Sequence, residues 1–235
     1  MRAGELDDIL KKAAQAQPDP DPALLDRIAA AIRPNMRPVR PLPPAWRLNI
    51  ALTAACLAIA TIVAARLGLH GLAAMSGLQL LVLAIAPILV GLAAAAWTAE
   101  MIPGSRRRES PFTLLAIACA SLLALFAALF RDPLTDGFVH PGIACLTAGL
   151  VTAVPVALAG WWLLRRGFAV NPTGAAIAAG TFAGLAGVAM LELHCPNFQT
   201  WHVLVWHTAV VPVSAALAVL LTKLVQIRRA HVDAR

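Results

Sequence analysis

From residue 46 onward, long apolar stretches alternate with short polar connectors. Six stretches of about 20 residues have no Asp, Glu, Lys or Arg near the middle. A helix of that length crosses a hydrocarbon core of about 30 Å. The stretches lie at residues 46–65, 78–98, 112–130, 142–164, 173–193 and 201–224. We therefore predict an all-α membrane protein, a bundle of six transmembrane helices occupying residues 46–224.

The segment before the first apolar stretch is polar, and its apolar residues lie in short groups rather than in one long run. Residues 1–33 predict a short arm of two helices, in which apolar residues recur at helical spacing on either side of a proline-rich break at 18–22. Each apolar stripe is too small for a core, so we expect it to pack against a partner protein, the membrane surface or the other helix. The expected contact residues are Leu6, Ile9, Leu10, Leu25, Ile28 and Ile32.

Basic residues set the predicted orientation. Residues 34–45, with five prolines and two arginines, predict a stiff basic linker between the arm and the first span. One side of the membrane receives five basic segments: the arm, this linker, the two connectors with Arg106–Arg108 and Arg165–Arg166, and the tail at 225–235. With residues near the span ends, that side holds seventeen of the nineteen Lys and Arg residues. Because positive charge is retained in the cytoplasm, we predict both termini inside and a bacterial inner (plasma) membrane location.

Two further patterns concern packing. Gly180 and Gly184 in the fifth span form a small-xxx-small pair, which predicts close approach of another helix. Tryptophans fall near predicted span ends, where an amphipathic indole ring is favoured at the membrane interface. Those expected at the cytoplasmic ends are Trp46, Trp97, Trp161 and Trp162.

The predicted topology divides the four cysteines into two classes. Cys56 and Cys119 lie in the middle of spans one and three and are expected to be small buried hydrophobic residues. Cys145 starts span four and Cys195 precedes span six, so both are expected at the outer face, where disulfides persist. Two such cysteines can pair when their Cα atoms lie within about 7 Å. The residues alone leave open whether these two pair or pack separately.

Five of the six histidines lie in or near the predicted outer connectors. Imidazole and thiolate groups are the ligands of thiophilic metals, which makes Cys145, His194 and Cys195 candidate ligands. The chain has no CxxC or HxxxH motif, and His202 and His207, five residues apart, are expected on different helix faces. The alternative is that these histidines are polar residues of helix interfaces.

Several functional classes are disfavoured. There is no Gly-rich phosphate loop, no carboxylate pair within the spans and no Ser-His-Asp arrangement, so we expect neither an enzyme nor a cofactor. The net charge of +7 resides mainly in the connectors, the arm and the tail, which argues against direct nucleic-acid binding. A small transporter or metal-handling permease would be expected to carry ionisable residues within its spans. This alternative, and that of a structural subunit of a membrane complex, remain open.

Several short motifs resemble one known family. They are Glu5–Leu10, Arg37–Pro44, Cys145 at the start of span four, Arg165-Arg166-Gly167, Leu193-His194-Cys195-Pro196, and Trp206. Together these motifs are similar to those of the NrsF-type membrane anti-sigma factors, negative regulators of an extracytoplasmic-function sigma factor, sigma F.

The resemblance implies a mechanism. The cytoplasmic arm would hold the sigma factor at the membrane and away from RNA polymerase. Cys145 and Cys195 would respond to an oxidant or a heavy metal, with His194, Pro196 and Trp206 as neighbours of the sensing motif. Their change would shift helix packing and release the sigma factor.

Overall fold

The structure is a computed structural model that describes residues 8, 11–12, 21–33, 42–105, 110–133 and 137–233. It divides into two units, residues 1–41 and 42–235. The described residues include no β-strand, only an isolated bridge between Asp132 and Gln199. The predicted all-α class is therefore confirmed.

The first unit contains helix α1, Pro22–Ile32. Asp21 caps it by accepting a hydrogen bond from the Ala23 N–H at 2.9 Å, and Pro22 fills the first helical position, where no amide donor is needed. Leu25, Ile28 and Ile32 are exposed, as is every other residue of α1. The other three expected contact residues, Leu6, Ile9 and Leu10, lie outside the described residues, as does the linker from 34 to 41.

The second unit contains the six predicted membrane-spanning helices. Five of them are single α-helices, and the sixth is composite. The single helices are α2 (Ala45–Leu67), α4 (Leu81–Met101), α5 (Pro111–Leu129), α6 (Val139–Leu164) and α7 (Pro172–His194). The sixth span, from Thr200 to Arg228, consists of α8 (Thr200–His202), a π-helical segment (Val203–His207) and most of α9 (Thr208–Asp233). A short helix, α3 (His70–Ala74), follows α2.

The second span begins three residues later than its apolar stretch. Residues 77–80 form turns rather than helix. The Ser76 N–H donates to Gln79 Oε1 at 2.9 Å, and this local bond satisfies a backbone donor outside the helix. Hydropathy alone cannot separate an apolar turn from an apolar helix.

Helix α7 is the centre of the bundle. Almost all of its residues are buried, and it contacts each of the other spanning helices. Small side chains permit this packing: a Cβ added at Gly180 would lie 2.4 Å from Ala215 Cα, and one at Gly184 would lie 2.7 Å from Val211 Cα. The small-xxx-small pair therefore marks the contact between α7 and α9, as predicted.

The helices alternate in direction, so the bundle has two distinct ends. We define the cysteine end as the one where α7 finishes and the sixth span begins, since it holds Cys195. We define the arginine end as the one where α4 and α6 finish, next to Arg165 and Arg166. There the Phe168 N–H donates to the Met101 carbonyl at 2.9 Å, which ties the connector after α6 to the end of α4. Arg106–Arg108 lie outside the described residues.

Three of the four tryptophans expected at cytoplasmic span ends are exposed near the arginine end, namely Trp46, Trp161 and Trp162. The expectation for Trp97 was wrong. Its ring is buried against Gly160 and lies 5.5 Å from the Phe182 ring, because a helix without a side chain at Gly160 leaves room for an indole.

Candidate functional site

Cys145 and Cys195 meet at the cysteine end. Cys145 lies in the second turn of α6, and Cys195 is the C-cap of α7, where its N–H donates to the Leu191 carbonyl at 2.7 Å. Pro196 follows and ends the helix, because proline cannot continue its hydrogen-bond ladder. The two Sγ atoms are 3.5 Å apart, in contact but longer than the roughly 2.05 Å of a disulfide.

Two buried histidines approach these thiols from the sixth span. His202 Nε2 is 3.7 Å from Cys195 Sγ, and the His202 and His207 rings are 5.3 Å apart. The expectation that these histidines point to different faces does not hold. Residues five apart in an α-helix differ by about 140°. The segment Val203–His207 is instead π-helical, and its i→i+5 bonding brings positions five apart together.

A buried carboxylate orients His207. The His207 Nδ1–H donates to Glu192 Oε1 at 2.6 Å, and each side chain is 1% exposed. This bond occupies Nδ1 and leaves Nε2, which has no hydrogen-bond partner among the described residues. Glu192 lies one turn before Cys195 on α7. The last turn of α7 thus supplies both a thiol and the group that holds an imidazole.

Neighbouring elements enclose the four side chains. Gly71 of α3 packs directly on the end of α7, since a Cβ there would lie 2.6 Å from the Glu192 carbonyl oxygen. The ring of Trp206 lies against Gly142 of α6, where no side chain opposes it. The connector after Cys195 is tied to the end of α5, because Thr200 Oγ1 donates to the Phe130 carbonyl at 2.9 Å. The four side chains therefore lie among α3, α6 and the connector that follows α7, with Cys145 the least buried of them.

Two residues of the predicted sensing motif lie beside this group and not in it. His194 Nδ1 bonds the Gly68 carbonyl at 2.8 Å, and its ring is 6.1 Å from that of His70. Pro196 is exposed. His194 therefore ties α7 to the end of α2, while His202 and His207, absent from the candidate ligand set, lie next to the thiols. The signal that could have identified them is Glu192, a buried carboxylate that requires a partner.

Electrostatics distinguish Cys195 among the thiols. Its hydrogen bond with Cys145 lowers the pKa of Cys195, and the contact with His202 lowers it further, whereas burial acts in the opposite direction. A thiol with a lowered pKa carries more thiolate, the form that attacks oxidants and binds metals. The remaining cysteines, Cys56 and Cys119, lie within α2 and α5; Cys56 is fully buried, as expected, and Cys119 is half-buried.

The arrangement can support two kinds of chemistry. Two thiols in contact can be oxidised to a disulfide after a movement of roughly 1.5 Å. Alternatively, one ligand atom from each of Cys145, Cys195, His202 and His207 lies within 4.8 Å of all the others, which suits a single cation. Among the described residues no other group of this kind occurs.

Comparison with known proteins identifies the family. No curated protein and no solved structure matched the chain. The profile of the family described as "NrsF: Negative regulator of sigma F" matches residues 34–226, which include the first five spans, all but the last two residues of the sixth, and every residue of the site. With most of its length matched, this chain belongs to the NrsF family of negative regulators of sigma F.

Proposed function

We propose that this protein is a membrane-anchored anti-sigma factor that sequesters an extracytoplasmic-function sigma factor of the sigma F type. The arm, residues 1–33, binds the sigma factor at the cytoplasmic face, and reaction of the thiols at the outer face releases it. The observation that carries the proposal is the contact of Cys145 and Cys195, 3.5 Å apart at the end of the bundle opposite Arg165 and Arg166. The family, a negative regulator of sigma F, supports the identity of the partner.

The exposed face of α1 supports a role in protein binding. Leu24, Leu25, Ile28 and Ile32 are each about half exposed, which is costly for a helix without a partner. Amphipathic helices of this kind bind by laying their apolar face in a groove of another protein. Tethering the sigma factor in this way would keep it from RNA polymerase without any enzymatic step.

Two stimuli fit the thiols. Hydrogen peroxide could take two electrons and two protons from Cys145 and Cys195, which forms the S–S bond and reduces the peroxide to two molecules of water. A thiophilic metal could instead displace the two protons and bind both sulfurs. Either reaction changes the distance between the start of α6 and the end of α7, and α7 contacts every other span. A shift of α7 could therefore transmit the change at the thiols to the opposite end of the bundle.

Deletion of residues 1–33 tests the output. We expect the full chain in detergent to retain a purified sigma factor of the sigma F type, and the truncated chain to lose it. Ile28→Asp should weaken retention by at least tenfold, because a charge on the apolar face is desolvated on binding. The matched control is Arg27→Gln, on the same helix but outside the apolar stripe. Equal retention by the truncated and full-length chains would contradict the proposal.

A further inference from the structure

The cysteine end contains more ligand groups than a disulfide switch requires. A thiol pair needs only Cys145 and Cys195, yet two buried histidines also face it. Burial of an imidazole nitrogen without a hydrogen-bond partner costs free energy, because that nitrogen has given up its hydrogen bonds to water. His202 and His207 are each 1% exposed, and His202 Nδ1 and His207 Nε2 have no partner among the described residues. A cation bound by His207 Nε2 would offset this cost at that nitrogen, and His202 faces the same point with Nε2, 3.7 Å from Cys195 Sγ.

We propose that Cys145, Cys195, His202 and His207 form a tetrahedral binding site for one divalent cation of the zinc class. Binding as such stands on this geometry, whereas its use as a signal rests on the proposed function. Two thiolates and two imidazoles are a common zinc ligand set, and they discriminate against magnesium and calcium, which take oxygen ligands. The site extends the proposed thiol sensor, because His202 and His207 of the sixth span add two ligands to the two cysteines.

The distances fit this geometry. With Zn–S near 2.3 Å and Zn–N near 2.0–2.1 Å, the ligand atoms of a regular tetrahedron lie about 3.3–3.8 Å apart. The two Sγ atoms are 3.5 Å apart, and Cys195 Sγ is 3.7 Å from His202 Nε2. All four atoms lie within 4.8 Å of one another, so adjustments of side-chain rotamers by less than about 1.5 Å bring them to the required spacing.

Glu192 supplies the outer support that such sites have. Metal-bound histidines commonly donate their second N–H to a carboxylate, which fixes the tautomer and presents the other nitrogen to the metal. The His207 Nδ1–H donates to Glu192 Oε1 at 2.6 Å and leaves Nε2 for the cation. Glu192 and Cys195 belong to the same turn of α7. The end of this helix therefore supplies one ligand, Cys195, and also the carboxylate that orients a second ligand, His207.

The π-helical segment brings the two histidines to the same side of the sixth span. An α-helical path would place His202 and His207 about 140° apart, so both could not reach one ion. The π-helical segment brings the rings to 5.3 Å. Such segments occur frequently at functional sites. Three helices therefore converge on one point, each with a ligand of suitable chemistry.

The test uses the full chain, purified in detergent under reducing conditions and titrated with Co²⁺ as a spectroscopic probe for Zn²⁺. We expect one Co²⁺ per chain, with the intense d–d absorption of tetrahedral cobalt and thiolate-to-cobalt charge transfer. Zn²⁺ should displace it. Cys145→Ser and Cys195→Ser should each reduce the charge-transfer intensity, and His202→Gln and His207→Gln should each lower the affinity at least tenfold. Glu192→Gln should lower it by about 10- to 100-fold.

The matched controls are His140→Gln and Cys119→Ser, which change the same residue types away from the site and should leave the titration unchanged. Size-exclusion elution in detergent reports whether each variant is folded, and a misfolded Ser variant is replaced by the Ala variant at that position. Failure of the wild-type chain to bind Co²⁺ or Zn²⁺ would overturn the proposal, and so would unaltered binding in the two histidine variants. Sigma-factor retention is measured separately, so loss of that activity with intact cation binding contradicts only the proposed function.

Discussion

At the scale of single residues, the pair formed by Glu192 and His207 dominates the energetics of the site. Both side chains are fully buried, and their 2.6 Å hydrogen bond satisfies a carboxylate that would otherwise be isolated from water. Removing one partner of such a buried pair typically destabilises a protein by about 3–5 kcal/mol. The pair therefore fixes where the end of α7 lies relative to the sixth span, and with it the position of Cys195.

The contact of the two thiols predicts selective oxidation. Treatment of the purified chain with a peroxide should remove two of its four free thiols, because Cys145 and Cys195 are 3.5 Å apart and the others lie within separate helices. Thiol counting under denaturing conditions, before and after oxidation, measures this. The Cys145→Ser variant should form no intramolecular disulfide, whereas Cys119→Ser should oxidise like the parent. The same intramolecular loss of two thiols in a Cys145→Ser/Cys195→Ser double variant would contradict the assignment.

The thiols were easier to foresee than their partners. Counting spans and charges placed Cys145 and Cys195 at the same membrane depth, since depth depends only on position along each helix. The bond from His207 to Glu192 joins residues 15 apart through a connector whose path no periodicity encodes. His194, chosen because it is next to Cys195, turns away, since adjacent residues at a helix end point in different directions.

At the scale of elements, α7 differs from the other spans. It is the least hydropathic of the six, yet nearly all of it is buried. The low hydropathy and the burial have the same cause. A helix surrounded by other helices needs small side chains for close packing, whereas a helix that faces lipid needs large apolar ones. Gly149 of α6 and Gly187 of α7 show the same close approach on a second face, where a Cβ at Gly187 would lie 2.5 Å from the Gly149 carbonyl oxygen.

This packing predicts a sharp difference between two glycine substitutions. Gly180→Ala places a Cβ 2.4 Å from Ala215 Cα, so the backbones of α7 and α9 must separate, and we expect destabilisation of about 1–3 kcal/mol. Gly91→Ala on α4 meets only Thr53 Oγ1, at 3.9 Å, and should change stability by less than about 1 kcal/mol. Thermal unfolding in detergent measures both. A lower unfolding temperature for Gly91→Ala than for Gly180→Ala would show that the helices do not pack as described.

Apolar length sufficed to predict the spanning helices, but not their finer structure. Each span exceeds 18 residues with few charges, a pattern that few other structures satisfy. The π-helical segment at Val203–His207 has no such signature, because its residues would be equally suitable for an α-helix. The central position of α7 was only partly foreseeable: Gly180 and Gly184 indicated one close contact, not burial on all sides.

At the scale of the whole molecule, the two ends of the bundle have different chemistry. Two thiols and two buried imidazoles meet at the cysteine end, and at the arginine end Arg165 lies 5.2 Å from the ring centre of the exposed Trp162. Cationic side chains beside indole rings suit an anionic membrane surface. The proposed function needs the two ends on opposite sides of the membrane, with the cysteine end outside.

Labelling of introduced cysteines tests this orientation. Gly77→Cys lies in the exposed connector after α3, at the cysteine end, where a new side chain meets no neighbour. His231→Cys lies near the end of α9, at the arginine end, and is also exposed. In intact cells a membrane-impermeant maleimide should label the first variant, and the second only after permeabilisation. The parent chain supplies the background signal, and the opposite labelling pattern would reverse the predicted topology.

The π-helical segment bears on how the spacing of the two histidines can vary. A π-helical turn holds one more residue than an α-helical turn, so it accommodates a five-residue spacing where an α-helix would need four. Deleting one residue between His202 and His207 would keep both histidines, six spans and all the motifs at residues 193–196. The two histidines would then be four residues apart, about 40° from each other on one face of an α-helix, so both would still face the thiols. Convergence of the four ligand atoms is therefore compatible with either spacing, and the π-helical segment keeps it at the longer one.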